Sequence, residues 1–106
     1  MRSSALLLLA AALAAPAAGA ADLEAGREKA RSCAACHGPN GLSTTPDAPN
    51  LAGQPALYVA TQLRAYRSGK RTHEVMSLMA KPLSDADIEN LAAWFSGIKV
   101  EAKVPP

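Results

Sequence analysis

Apolar positions along the chain fall into one unbroken run and three periodic stretches. The run extends from Ala5 to Ala15 and is rich in Leu and Ala. Met1-Arg2 places positive charge before it, Pro16 breaks it, and Ala18-Gly19-Ala20 follows with small residues in an A-x-A arrangement. A charged, then apolar, then cleavable segment predicts a secretory signal over residues 1–20, cut after Ala20. A membrane anchor is the competing reading. The run is shorter than the about 20 apolar residues of a spanning helix, and no cysteine for lipidation stands near the junction. The protein is therefore expected in the periplasm, with residues 21–106 forming one domain that does not span the membrane.

Within that domain the apolar period is helical. The first stretch is predicted to be a helix from Leu23 to Ala35, with Asp22 as N-cap and Glu24 and Glu28 favouring its positive end. Gly26 inside it is locally unfavourable. A second helix starts near Pro55 and ends at Gly69, with Leu57, Val59, Ala60, Leu63 and Tyr66 on its apolar side. A third begins after Ser84, with Asp85 and Asp87 in its first turn. Ile88, Leu91, Ala92 and Phe95 recur along it, Trp94 widens the stripe, and Gly97 closes it. Residues 38–54 between the first two are dense in Gly, Pro, Asn and Thr, and no stretch alternates as a strand would. The expected class is all-α. Residues 99–106 are expected to form a loose polar tail.

Composition adds two constraints. Without Arg2 the domain carries ten Lys and Arg against nine Asp and Glu, so it is nearly neutral. No basic block points to nucleic acid. The aromatic residues are only Tyr58, Tyr66, Trp94 and Phe95. A domain this small rarely stabilises itself on its own apolar side chains, so a cofactor, metal or disulfide is expected to complete the core.

The candidate chemistry is Cys33-Ala34-Ala35-Cys36-His37, a C-x-x-C-H pattern of the kind that attaches haem c. Two thiols three positions apart at a helix end reach the two vinyl groups of one haem edge, and the next residue, His37, falls under the iron. The motif has competitors. An exported protein can form a Cys33–Cys36 disulfide. A redox-active C-x-x-C wants a βαβ context, which this chain lacks. Zinc needs four ligands, and only His73 stands out beyond the motif.

These residues resemble class I c-type cytochromes, and more narrowly the bacterial monohaem c553 proteins and one half of cytochrome c4. The resemblance runs through residues 33–41, then Pro49-Asn-Leu-Ala-Gly-Gln54, Gln62-Leu63, Gly69-Lys70-Arg71 and Met76, and ends in residues 83–88 and Leu91-Ala-Ala-Trp-Phe95. It implies helices wrapped around one covalent haem c, with iron, bound through Cys33 and Cys36 and ligated by His37. It implies that Gly26 is the close-contact glycine where the first and last helices cross, with Ala30, Leu91 and Trp94 completing the crossing. It implies too that the carbonyl of Pro49 accepts a hydrogen bond from the ring of His37, which fixes the tautomer of the ligand.

For the sixth ligand the candidates are Met76, Met79 and His73. The family's register, counted back from Leu83-Ser84-Asp85, selects Met76 and leaves Met79 as runner-up, packed against the haem. His/Met ligation raises the potential relative to bis-His ligation. With both axial positions filled and no second cofactor motif, the expected function is one-electron transfer, by a monomer that is not itself an enzyme, between donor and acceptor proteins. The alternatives are a cytochrome subunit held on a catalytic partner, such as a flavocytochrome sulfide dehydrogenase, an alcohol dehydrogenase or a sulfur-oxidising complex, and a haem gas sensor. Lys70, Arg71 and Lys81 flank the methionine segment, either as a solvated loop or as a modest positive rim for an acidic partner.

Overall fold

The side-chain oxygen of Asp22 accepts hydrogen bonds from the backbone N–H groups of Glu24 and Ala25 at 2.9 and 3.1 Å, which starts helix α1, Leu23–Ala30. The computed structural model describes residues 11–13 and 20–106, so the predicted export segment lies, but for residues 11–13 and 20, outside the described residues. The first helix does not run on to Ala35 as a single cylinder. It tightens to a 3-10 turn at Arg31–Cys33 and resumes as α2, Ala34–His37. Gly38 then stops it at φ 83°, where a Cβ would lie 1.9 Å from the carbonyl oxygen of Leu42.

Helix α3 spans Ala56–Ser68, with Pro55 at its cap and Gly69 ending it in the left-handed conformation. Its buried side is narrower than the periodicity predicts. Val59 and Ala60 are buried, but Leu57 is 79% exposed, because it lies round the helix from the stripe set by Val59, Ala60 and Leu63. A short helix α4, Met76–Ala80, follows a loop and was not among the predicted elements. The last helix, α5, spans Asp85–Gly97. Ser84 and Asp87 cap it reciprocally, side chain to backbone, both bonds at 3.0 Å. Among the described residues there is no strand.

Helix α5 is the common partner. Its Ile88 and Ala92 pack with Val59 and Ala60 of α3, and its Leu91 and Phe95 pack with Ala30 of α1. Leu63 and Leu83 touch both groups. At the α1–α5 crossing a Cβ on Gly26 would meet the Asn90 carbonyl oxygen at 2.1 Å and Trp94 Cβ at 3.0 Å. The close-contact glycine is therefore real, and its nearest neighbour is the backbone of Asn90. The Asp22 N–H donates to Asn90 Oδ1 at 2.8 Å beside it.

Polar contacts fasten the same frame. Arg67 on α3 donates to the Leu83 carbonyl at 3.0 Å and to Asp85 at 2.7 Å. Arg64 pairs with Glu89, and Lys29 with Asp87 at 3.4 Å. These exposed pairs orient the helices more than they stabilise them. Residues 99–106 carry no helix, and Val100 lies against Gly53. No helix of the described residues is long and apolar enough to cross a membrane.

Candidate functional site

Helices α2, α3, α4 and α5 and the loop 49–54 surround a cavity of about 320 Å³. The C-x-x-C-H segment forms one wall, where Cys33, Cys36 and His37 all line it. Met76 and Met79 line it from α4, since a spacing of three in a helix puts both on one side. Leu51, Val59, Leu63, Leu83, Leu91 and Phe95 make the interior apolar. Residues from 32 to 95 thus meet around one space.

His37 is the only buried polar side chain among the described residues, 7% exposed. Its Nδ1 lies 2.8 Å from the carbonyl oxygen of Pro49. A carbonyl only accepts, so Nδ1 is the donor in this contact and Nε2 is the nitrogen left to bind a metal. That is the state in which an imidazole binds a metal. Both cysteines are free, Cys33 half-buried and Cys36 exposed. Burial pushes the Cys33 thiol above its ordinary pKa, and a hydrogen bond with Ser32 partly offsets this. The disulfide alternative has no support in these free thiols, and zinc has none either: among the described residues no three or more His, Cys, Asp or Glu are placed so that together they could hold a metal ion.

The carbonyl at the end of the motif is also held. Thr45 Oγ1 donates to the Cys36 carbonyl at 3.0 Å, closing the orphaned end of α2, and Ser43 Oγ, 3.2 Å from the same carbonyl, donates to the Thr45 carbonyl at 2.8 Å. Neither hydroxyl is among the residues that the sequence singles out. Their only signal is a pair of hydroxyl residues soon after a Gly-rich turn, which is common in loops.

His73 does not line the cavity. Its Nδ1 instead accepts from the N–H groups of Val75 and Met76 at 3.1 and 3.2 Å. Of the three basic residues flanking the methionine segment, only Arg71 lines the cavity. Its guanidinium lies 4.6 Å from the ring centroid of Tyr66 and donates to Gln62 Oε1 at 2.7 Å. Lys70 and Lys81 are exposed and stand apart from the cavity.

The donor set fits a covalently held haem. Two thiols, one imidazole nitrogen and two thioethers face one apolar space, and one wall carries the two thiols beside the imidazole. Comparison with known proteins agrees. The cytochrome c family model matches residues 23–99. Cytochrome c-554(548) of Halomonas halodenitrificans is 44% identical over 80 residues, which is 73% of this chain and 96% of that protein. The thiosulfate dehydrogenase electron acceptor of Thiomonas intermedia is 46% identical over 79 residues, 74% of this chain but 36% of that protein. The crystal structure of reduced cytochrome c4 from Pseudomonas stutzeri superposes with a TM-score of 0.69 at 34% identity, over 76% of this chain and 52% of that one.

Proposed function

The chain belongs to the cytochrome c family, an all-α electron carrier with covalent haem c, and on that premise we propose that it is a periplasmic monohaem carrier between a donor complex or dehydrogenase and a terminal acceptor. Haem supplies reversible one-electron chemistry at its iron. The residues of the chain decide how it is held. Cys33 and Cys36 provide the thioether sulfurs, and His37 provides Nε2. Pro49 holds the imidazole by its carbonyl and keeps the proton on Nδ1. Met76 would provide a further sulfur to the iron, with Met79 beside it on the same cavity wall.

The observation that carries this reading is the convergence of Cys33, Cys36, His37 and Met76 on one apolar cavity. An apolar surround disfavours the more highly charged oxidised iron, and a thioether ligand does the same, so a high potential is expected. With His37 and Met76 both available to ligate the iron, the site would favour electron transfer over binding of substrate or gas. The nearly even charge balance gives weak steering, so partner recognition is expected to depend only modestly on salt.

The experiment is isolation from the exported fraction. One haem per chain should remain after acid-acetone extraction, and the mature N-terminus should be at or near Ala21. A folded, haem-free native protein with a Cys33–Cys36 disulfide sinks the reading.

One finding favours a second reading. A relative 46% identical to this chain is named as the electron acceptor of thiosulfate dehydrogenase. On that basis the donor is a thiosulfate-oxidising enzyme, with the carrier either free or held on its surface. Reduction of the purified oxidised protein by such an enzyme tests the donor. Size-exclusion of the native protein separates a free monomer from a bound subunit.

A further inference from the structure

The segment that bears Met76 is short, and its start is built by one side chain pair. Helix α4 has only five residues, too few to hold itself in water. Before it, His73 Nδ1 accepts the N–H groups of Val75 and Met76 at 3.1 and 3.2 Å. In return Ser77 Oγ accepts the His73 N–H at 2.9 Å, and the Ser77 N–H donates to the His73 carbonyl at 3.0 Å. This is a closed ring of four hydrogen bonds with the same logic as a capping box, with an imidazole in the place of the usual hydroxyl or carboxylate.

We propose that His73 and Ser77 are positioning residues for the sixth ligand: they fix the backbone of Met76 so that its sulfur stays on the iron. The proposal rests on the Met76 assignment above. It gives His73 a role that its absence from the cavity wall otherwise leaves open. The ring touches the Met76 amide directly, so losing it loosens the residue that carries the sulfur. The far end of α4 is anchored separately. Ala80 is fully buried, the Leu83 N–H donates to the Ala80 carbonyl at 3.1 Å, and Arg67 holds the Leu83 carbonyl at 3.0 Å. Opening at the start of α4 therefore leaves the helix frame in place.

The test uses the haem-loaded protein. His73→Ala should raise the fraction of molecules with Met76 off the iron by roughly fivefold, the effect of one lost cap. It is read as loss of the weak red sulfur–iron(III) band at lower denaturant, and as carbon monoxide binding to the reduced form at lower concentration. The far-UV helical transition should keep its midpoint. Asn accepts the same two N–H groups, so His73→Asn should restore both readings, and Ser77→Ala should shift them in the direction of His73→Ala. An unchanged band in His73→Ala overturns the proposal. So does a weakened band that His73→Asn fails to restore, because the imidazole would then act by some means other than accepting these bonds. Met76→Ala run alongside separates the two levels. A band that survives it overturns the ligand assignment and the proposal together. A band lost with Met76→Ala but indifferent to His73→Ala overturns the proposal alone.

Discussion

The carbonyl oxygen of Asn90 occupies the place where a side chain on Gly26 would begin: a Cβ at Gly26 lies 2.1 Å from it. The obstruction is backbone, so no rotamer change relieves it. Helix propensity alone makes Gly26→Ala stabilising by about 1 kcal/mol. Overpacking at the crossing costs about 1–3 kcal/mol or more. Chemical denaturation should therefore show Gly26→Ala destabilised, and Gly26→Val more so. A stabilised alanine variant would mean that α1 and α5 do not cross at this distance.

Replacing both Cys33 and Cys36 by Ala should abolish haem retention under acid-acetone extraction. It should also leave the chain largely unfolded by far-UV circular dichroism. The reason lies in the core: Ile88 and Leu91 are the largest fully buried side chains, most other buried positions are alanines, and Val59, Leu91 and Phe95 face the cavity. Without its occupant this domain has too little buried apolar surface to hold a fold.

Met76→Ala should lower the potential and open the reduced iron to carbon monoxide. Met79 lines the same cavity but is 38% exposed, so Met79→Ala should keep the sulfur–iron band and cost only about 1 kcal/mol, below the range for fully buried methionines. A band lost with Met79→Ala and kept with Met76→Ala would shift the ligand by one helical turn.

Acid should loosen the end of α3 from the start of α5. The hydrogen bond from Arg67 and its charge hold Asp85 below the usual carboxylate range. The backbone N–H of Ser84 does the same for Asp87, with a further pull from Lys29. Both folded pKa values lie below the unfolded value of about 3.9. Their contribution is thus complete above that pH and disappears as pH falls through the folded values. Stability should be flat with respect to these groups from about pH 5 upward and decline below about pH 4. Asp85→Asn should reduce the acid slope, which equilibrium denaturation across pH 2–6 would register as a smaller proton uptake on unfolding.

Much of this was legible in the residues, and the reasons are local. The Cys33-to-His37 motif names its own chemistry because thioether attachment fixes the order and spacing of its members. The start of α5 was legible because Ser84 and Asp87 form a cap within four residues. Helix α4 was missed because five residues carry no measurable period and its start depends on an imidazole, which is not a usual cap. Leu57 looks interior in the sequence because it is a leucine near a helical stripe, although the stripe turns away from it. The cavity wall could not be assembled from pattern at all. Arg71 reaches it only by folding over Tyr66, and Leu51 and Phe95 meet there through a loop held by backbone bonds, with Leu51 N–H on Gly41 and Gly53 N–H on Phe95.

The bond between Asp22 and Asn90 joins positions 68 apart in sequence. The first helix therefore has no surface to close against until the last one has been delivered. While the chain is still incomplete, α1 alone is too short to persist. The two thiols stay on an open, pliable strand throughout that interval. Haem attachment at residues 33–37 is consequently expected on a chain not yet shut, with the docking of α5 as the latch that closes it. A chain cut before Ser84 should accept haem on its thiols yet never protect the amides of α1 from hydrogen exchange.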